Sequence, residues 1–192
     1  MRTASIERNT KETRIKAEIN LDGTGKYNIE TNCKFFKHML EQFVYHSKFD
    51  LNIEAVSLDG DTHHLVEDTA IVIGSLLKEA LCTKEGITRY GQFILPMDEA
   101  LVLSVVDISG RAFSKIDVSL PSENVSDFET VLLPHFFNSL AQNAQITVHI
   151  KQLDGKDTHH IIEAVFKSFA RALSCAVKLN NTSEIPSTKG SL

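Results

Sequence analysis

Leu58-Asp59-Gly60-Asp61-Thr62-His63-His64-Leu65-Val66-Glu67 returns later in the chain as Leu153-Asp154-Gly155-Lys156-Asp157-Thr158-His159-His160-Ile161-Ile162-Glu163, with one lysine inserted. The histidine pair and its glutamate recur 96 positions apart. The upstream sequence repeats as well: Phe35-Phe36-Lys37-His38-Met39-Leu40 precedes the first pair and Pro134-His135-Phe136-Phe137-Asn138-Ser139-Leu140 the second. A whole supersecondary unit repeated in this way makes the fold two copies of one design.

Outward from the histidines, the two halves read alike. Alternation of apolar and polar residues predicts strands over Thr13 to Leu21 and Tyr27 to Thr31, and over Leu101 to Ile108 and Ala112 to Val118. Asp22-Gly23 and Ser109-Gly110 mark turns. A helix follows in each half, Cys33 to Ser47 or Asp127 to Gln142, then a strand, Leu51 to Ser57 or Gln145 to Gln152. A long helix then opens at each histidine pair, with Thr62 or Thr158 as the expected N-cap. Its apolar stripe (Val66, Ala70, Ile73, Leu77 or Ile162, Phe166, Phe169, Leu173) faces a sheet. The expected fold is α+β, with two tandem β-β-α-β-α repeats, each a mixed sheet with two helices on one face. The repeats are expected over 1–92 and 93–180, followed by an arm over 181–192, all forming one functional unit.

Composition narrows the function classes. Of 192 residues, 42% are hydrophobic, enough for a real core, and a net charge of −5 supplies no field for nucleic acid or an anionic membrane. Cys33, Cys82 and Cys175 are odd in number and widely spaced, which fits neither a disulfide framework nor a thiolate zinc site. The N-terminus is charged and no apolar run approaches a membrane span, so a cytoplasmic protein is expected.

Residues four apart share a helix face, so His63 with Glu67, and His159 with Glu163, can each present nitrogen and oxygen to one ion. The second histidine of each pair points about 100° away and suits a different ion. Two ions shared crosswise between the repeats satisfy this geometry. Imidazole and carboxylate without thiolate suit manganese, iron or zinc, and more than four such ligands favour an octahedral ion such as Mn(II). His46 and His149 stand outside the strict repeat. Arg89, Arg111, Lys167 and Lys189 are candidates to grip a phosphate or carboxylate, and Pro186-Ser187-Thr188-Lys189-Gly190 offers hydroxyls, free N–H groups and a cation in one short arm. Glu12 and Glu99 stand at matching points of the two halves as candidate acids or bases.

Taken together, these stretches, with Arg8-Asn9-Thr10-Lys11-Glu12-Thr13, Leu21-Asp22-Gly23-Thr24-Gly25, Pro96-Met97-Asp98-Glu99-Ala100-Leu101 and Asp107-Ile108-Ser109-Gly110-Arg111, make the chain resemble the imidazoleglycerol-phosphate dehydratases of histidine biosynthesis over essentially its whole length. The β-β-α-β-α unit likewise resembles the ribosomal protein S5 domain 2-like fold. The resemblance implies a hydro-lyase that converts D-erythro-imidazole-glycerol phosphate into imidazole acetol phosphate through imidazolate and diazafulvene-like states. It implies two Mn2+ per active site, one held by His38, His64, His159 and Glu163, the other by His63, Glu67, His135 and His160. Glu12, His38, His46, Arg89, Arg111, Lys167, Ser187 and Lys189 match substrate-contacting positions. Glu12 is the expected proton-transfer residue, with Glu163 and Glu67 as rivals. It also implies a homo-oligomer, a 24-mer with active sites between subunits, acting on a small phosphate substrate. Lys37, Thr62 and Asp157 depart from the family pattern without touching an inferred ligand. A dinuclear hydrolase and a metal-stabilised binding module are the competing readings.

Overall fold

A computed structural model of the chain describes residues 1–180 and 182–192. Asn181, the first residue of the expected arm, lies outside the described residues. The first half runs β1 (Thr3–Asn9), β2 (Thr13–Asn20), β3 (Tyr27–Thr31), α1 (Lys34–Ser47), β4 (Asp50–Ser57) and α2 (Thr62–Leu81). The second runs β5 (Tyr90–Met97), β6 (Ala100–Asp107), β7 (Phe113–Asp117), a small hairpin of β8 (Asn124–Val125) and β9 (Phe128–Glu129), then α3 (Leu132–Ala144), β10 (Thr147–Asp154) and α4 (Thr158–Val177).

The α+β class stands, and the two sheets have the same topology, β1-β2-β4-β3 and β5-β6-β10-β7. In each, the last pair in the order is parallel and the others antiparallel. Sheet registers place Ile15 opposite Ala55 and Ala17 opposite Ile53, all buried, so one face of the first sheet is a continuous apolar surface. The helices lie on that face: α2 covers β1, β2 and β4 while α1 meets β3, and correspondingly α4 covers β5 and β6 while α3 meets β7. The two helical layers then pack on one another, α2 on α3 and α1 on α4, so the core is a four-helix layer between two sheets. Glycine permits two of these approaches: a Cβ at Gly74 would lie 2.6 Å from the Leu140 carbonyl oxygen, and one at Gly91 would lie 1.9 Å from that of Ala172. Among the described residues, no helix is long and apolar enough to cross a membrane.

Several boundaries differ from expectation. Each half begins with one more strand than β-β-α-β-α, because β1 and β5 are sheet edges whose exposed residues blur the alternation. β5 opens at Tyr90, ahead of the expected join between 92 and 93. α3 starts at Leu132 rather than near Asp127, since residues 124–129 form the hairpin. The caps of the long helices are Asp61 and Asp157, not Thr62 and Thr158: the Asp61 carboxylate accepts from the His63 N–H at 2.7 Å, and that of Asp157 from the His160 N–H at 3.1 Å. A carboxylate is the stronger acceptor and also complements the positive end of the helix dipole.

Candidate active site

The packing of α1 on α4 brings together residues that sequence spacing alone cannot join. His159 and Glu163 lie one turn apart on α4, with His159 Nε2 3.1 Å from Glu163 Oε2. His38 arrives from α1 with Nε2 3.4 Å from the same oxygen. Ligand atoms bound at about 2.1 Å around an octahedral ion stand about 3 Å apart along each edge, so this triplet fits a common ion. The pseudo-equivalent packing of α2 on α3 brings His63, Glu67 and His135 together more loosely. His63 Nε2 is 3.9 Å from Glu67 Oε2, and the His63 and His135 rings are 5.1 Å apart between centroids.

The fourth histidine of each implied set points elsewhere. His64 Nδ1 lies 2.7 Å from Asp59 and 4.0 Å from Glu12, while His160 Nδ1 lies 2.7 Å from Glu99. The Asp59 hydrogen bond raises the His64 pKa and the Glu99 hydrogen bond raises that of His160. In return Asp59, held first by the Asp61 N–H and next by His64, falls to about 2, and Glu99, held first by His160, also falls to about 2. With Nδ1 occupied by a carboxylate the ring orientation is fixed and Nε2 is the nitrogen left to face an ion; that of His160 also lies 3.7 Å from the exposed Asp98 carboxylate. Sequence reading named Glu99 only as a candidate acid or base and did not single out Asp59. Asp59, in the turn just before the first histidine pair, could have been found by that proximity, whereas Glu99 sits in the β5–β6 turn, 61 residues before His160.

The two triplets differ in what surrounds them. Glu163 is buried, which pushes its pKa up, but a 2.6 Å hydrogen bond from Lys167 and the nearby histidines more than compensate and hold it below the usual value. Lys167 Nζ also touches Met97 Sδ at 3.6 Å. His46, two turns beyond His38 on α1, is driven below its ordinary pKa by burial and by the neighbouring Lys167, Arg171 and Lys48. The positions matching Lys167, Arg171 and His46 in the other half are Ile71, Ser75 and Asn143, none of them cationic. At these three positions, then, the α1–α4 groove carries basic groups and the α2–α3 groove does not.

The remaining basic candidates collect at the other end of the second half. Arg89 receives the end of α4 by donating its N–H to the Ala176 carbonyl at 2.8 Å. Its side chain donates to Asp107 at 2.8 Å and to the Pro186 carbonyl at 2.8 Å, and the Asp107 hydrogen bond raises its pKa. The arm is thereby fastened beside Arg89, the Ser187 hydroxyl accepts from the Lys189 N–H at 3.2 Å, and Leu192 abuts Gly110, next to Arg111. Ala176 lies 17 residues after His159 on the same helix, roughly 25 Å at about 1.5 Å per residue. A small phosphate or carboxylate ligand is far shorter than that, so one chain does not bring Arg89, Arg111, Ser187 and Lys189 to its own His38–His159–Glu163 triplet. Glu12, 54% exposed, stands beside His64 and not beside that triplet. A groove of about 710 Å³ lies away from all of these groups, on the outer face of the first sheet near Ser5, Glu18 and Asn52.

The sequence profile of imidazoleglycerol-phosphate dehydratase matches residues 31–173. The chain is 49% identical over 195 aligned positions to the imidazoleglycerol-phosphate dehydratase of Clostridium botulinum, covering 100% of this chain and 98% of that protein. It is 49% identical to that of Clostridium acetobutylicum, again over 100% and 98% of the two chains. The crystal structure of imidazoleglycerol-phosphate dehydratase from Staphylococcus aureus superposes with a TM-score of 0.85 at 41% identity, covering 93% of this chain and 99% of that one.

Proposed function

Since the chain belongs to the imidazoleglycerol-phosphate dehydratase family, hydro-lyases of histidine biosynthesis, we propose that it removes water from D-erythro-imidazole-glycerol phosphate at sites shared between subunits of a homo-oligomer, the implied 24-mer. The observation that carries the proposal is the division of one chain's groups. A triplet of ligands with Lys167 and His46 lies at one end of α4, and the cationic arm lies roughly 25 Å away at the other. A single active site needs both, and symmetry-related chains can supply them.

In this reading two Mn2+ ions would be held per site, one by His38, His159 and Glu163, whose ligand atoms already suit a common ion, with His64 of another chain, and the second by the looser His63, Glu67 and His135 with His160 of another chain. When bound, such ions supply Lewis acidity that favours the imidazolate form of the substrate ring. An electron-rich ring can expel the hydroxyl on its adjoining carbon, giving a diazafulvene. The next carbon then loses its proton, and the resulting enol takes a proton back on the ring-bearing carbon to become the ketone. Glu12, beside His64, is placed to move that proton; Glu163 is committed to Lys167, which weakens it as a rival. Glu67, half exposed, is the other carboxylate in reach of its triplet. Arg89, Arg111, Ser187 and Lys189 hold the phosphate, and His46 and Lys167 line the approach beside the triplet.

The test is product formation by EDTA-stripped protein with and without Mn2+. Imidazole acetol phosphate that appears only with the ion supports the proposal. Undiminished turnover after stripping, or no product despite bound ion, overturns it.

A further inference from the structure

The two halves differ most between their third strand and first helix. Only Asn32 and Cys33 separate β3 from α1, whereas residues 118–131 separate β7 from α3 and fold into the β8–β9 hairpin. The hairpin's tip reaches the other half. Asp127 Oδ2 accepts from the Lys34 N–H at 2.7 Å and Oδ1 from the Phe35 N–H at 2.9 Å, the first two residues of α1. The residue at the N-cap position, Cys33, makes no capping bond of its own, and its thiol donates to the Asp127 main-chain oxygen at 3.4 Å. α1 is thus capped by a side chain 93 positions away, while α2 and α4 are capped by their own preceding aspartates.

Phe128 follows Asp127 into the core, fully buried, with its ring 5.6 Å from Phe35 and 6.2 Å from Phe36. Phe35 in turn meets the His159 ring edge-on at 5.1 Å. The base of the same segment is tied to α4, because the Ser122 N–H donates to Thr158 Oγ1 at 3.1 Å, immediately before His159. Thr130 Oγ1 closes the segment on itself by donating to the Ser122 carbonyl at 2.8 Å.

We infer that residues 122–130 form a clamp, with Asp127 as its positioning residue, that sets the start of α1 against the start of α4 and so holds His38 at ligand distance from His159 and Glu163. His38 lies four residues into α1, one turn from the capped N–H groups, so a shift of that turn moves its imidazole directly. The carboxylate bonds two adjacent N–H groups and complements the helix dipole, which fixes direction as well as position. Among the described residues no side chain caps α3 in this way for His135, and its N-cap residue Val131 makes no side-chain bond. The clamp therefore acts on the α1–α4 triplet alone.

The inference rests on the proposal that this triplet binds Mn2+. It is tested by titrating Mn2+ into wild type, Asp127→Ala and Asp127→Asn as assembled proteins, reading free ion by electron paramagnetic resonance, with kcat and KM measured alongside. In Asp127→Ala one of the two ions per chain should bind about 10-fold or more weakly, with a fall in kcat larger than any rise in KM. Asp127→Asn, which keeps an oxygen acceptor, should recover most of the affinity. Phe128→Leu gives a second route to the same loss if the alanine variant fails to fold. Lower thermal stability with both Mn2+ affinities and kcat at wild-type values would make the hairpin merely structural and overturn the clamp. A wild type that binds no Mn2+ would overturn instead the reading on which the clamp rests.

Discussion

Glu163→Gln and Glu67→Gln should separate what a carboxylate does for the fold from what it does for an ion. Glu163 has 7% of its side chain exposed and accepts from Lys167, itself 16% exposed, at 2.6 Å. Replacing this charge with an amide keeps the shape but leaves Lys167 facing a weaker acceptor in a nearly dry groove. Hydrogen bonds to charged groups contribute about 1.5–3 kcal/mol, and breaking a fully buried pair costs about 3–5 kcal/mol, so about 2–3 kcal/mol is expected here. Glu67 is 43% exposed and 3.9 Å from an equally exposed His63, a contact of the kind that contributes about 0–1 kcal/mol. At about 2–4 °C per kcal/mol for a chain of this size, Glu163→Gln should melt about 4–12 °C below wild type and Glu67→Gln within about 4 °C of it. The chain has no tryptophan, so the assay is the circular dichroism melt of metal-free protein. With Mn2+ present both variants should fall further below wild type, each having lost a ligand to one ion, while the gap between them remains. Equal destabilisation without metal would refute the assignment of a structural ion pair to Glu163 alone.

Asp59→Ala and Glu99→Ala should each weaken Mn2+ binding about 10- to 100-fold by releasing His64 or His160, measured by ion titration. Arg89→Lys should raise KM about 10-fold with kcat little changed, since lysine cannot bridge Asp107 and the Pro186 carbonyl at once, as steady-state kinetics would register. Gly91→Ala should lose at least about 3 kcal/mol, seen as lost soluble protein, because its Cβ would sit 1.9 Å from the Ala172 oxygen. Asp50 is partly desolvated but accepts from the N–H groups of Thr24, Gly25 and Lys26, which together hold its pKa below 3.8. Its contribution is complete above 3.8 and lost as pH falls through the lower folded value; urea melts of Asp50→Asn should show a smaller loss across that acid window.

What the sequence made legible follows from how each element is buried. β2, β4, β6 and β10 bury one face, so their alternation is plain, and the long helices carry continuous apolar stripes. β1 has no fully buried residue, and β5 exposes Ile94 and includes Pro96, which a sheet edge tolerates because no partner needs its N–H. The site divides in the same way. His63 with Glu67 and His159 with Glu163 are local helix geometry and could be read at four-residue spacing. His38 meeting Glu163 depends on α1 packing against α4, and the Asp127 cap depends on a hairpin crossing between halves, neither of which any local pattern records. The carboxylates that orient His64 and His160 sit in turns whose shape the residue types alone do not fix.

The sharing of ligands between chains is tested most directly by complementation. His38→Ala spoils the triplet on its own chain and His64→Ala spoils the imidazole offered to another, so each variant alone should be inactive. Co-expressed, a His64→Ala chain can supply an intact triplet to a His38→Ala chain that supplies an intact His64. With random mixing in a symmetric assembly, roughly one site in four is then whole. Mixed oligomers recovering about a quarter of wild-type turnover are the predicted result; mixed oligomers as inactive as either parent would contradict the account.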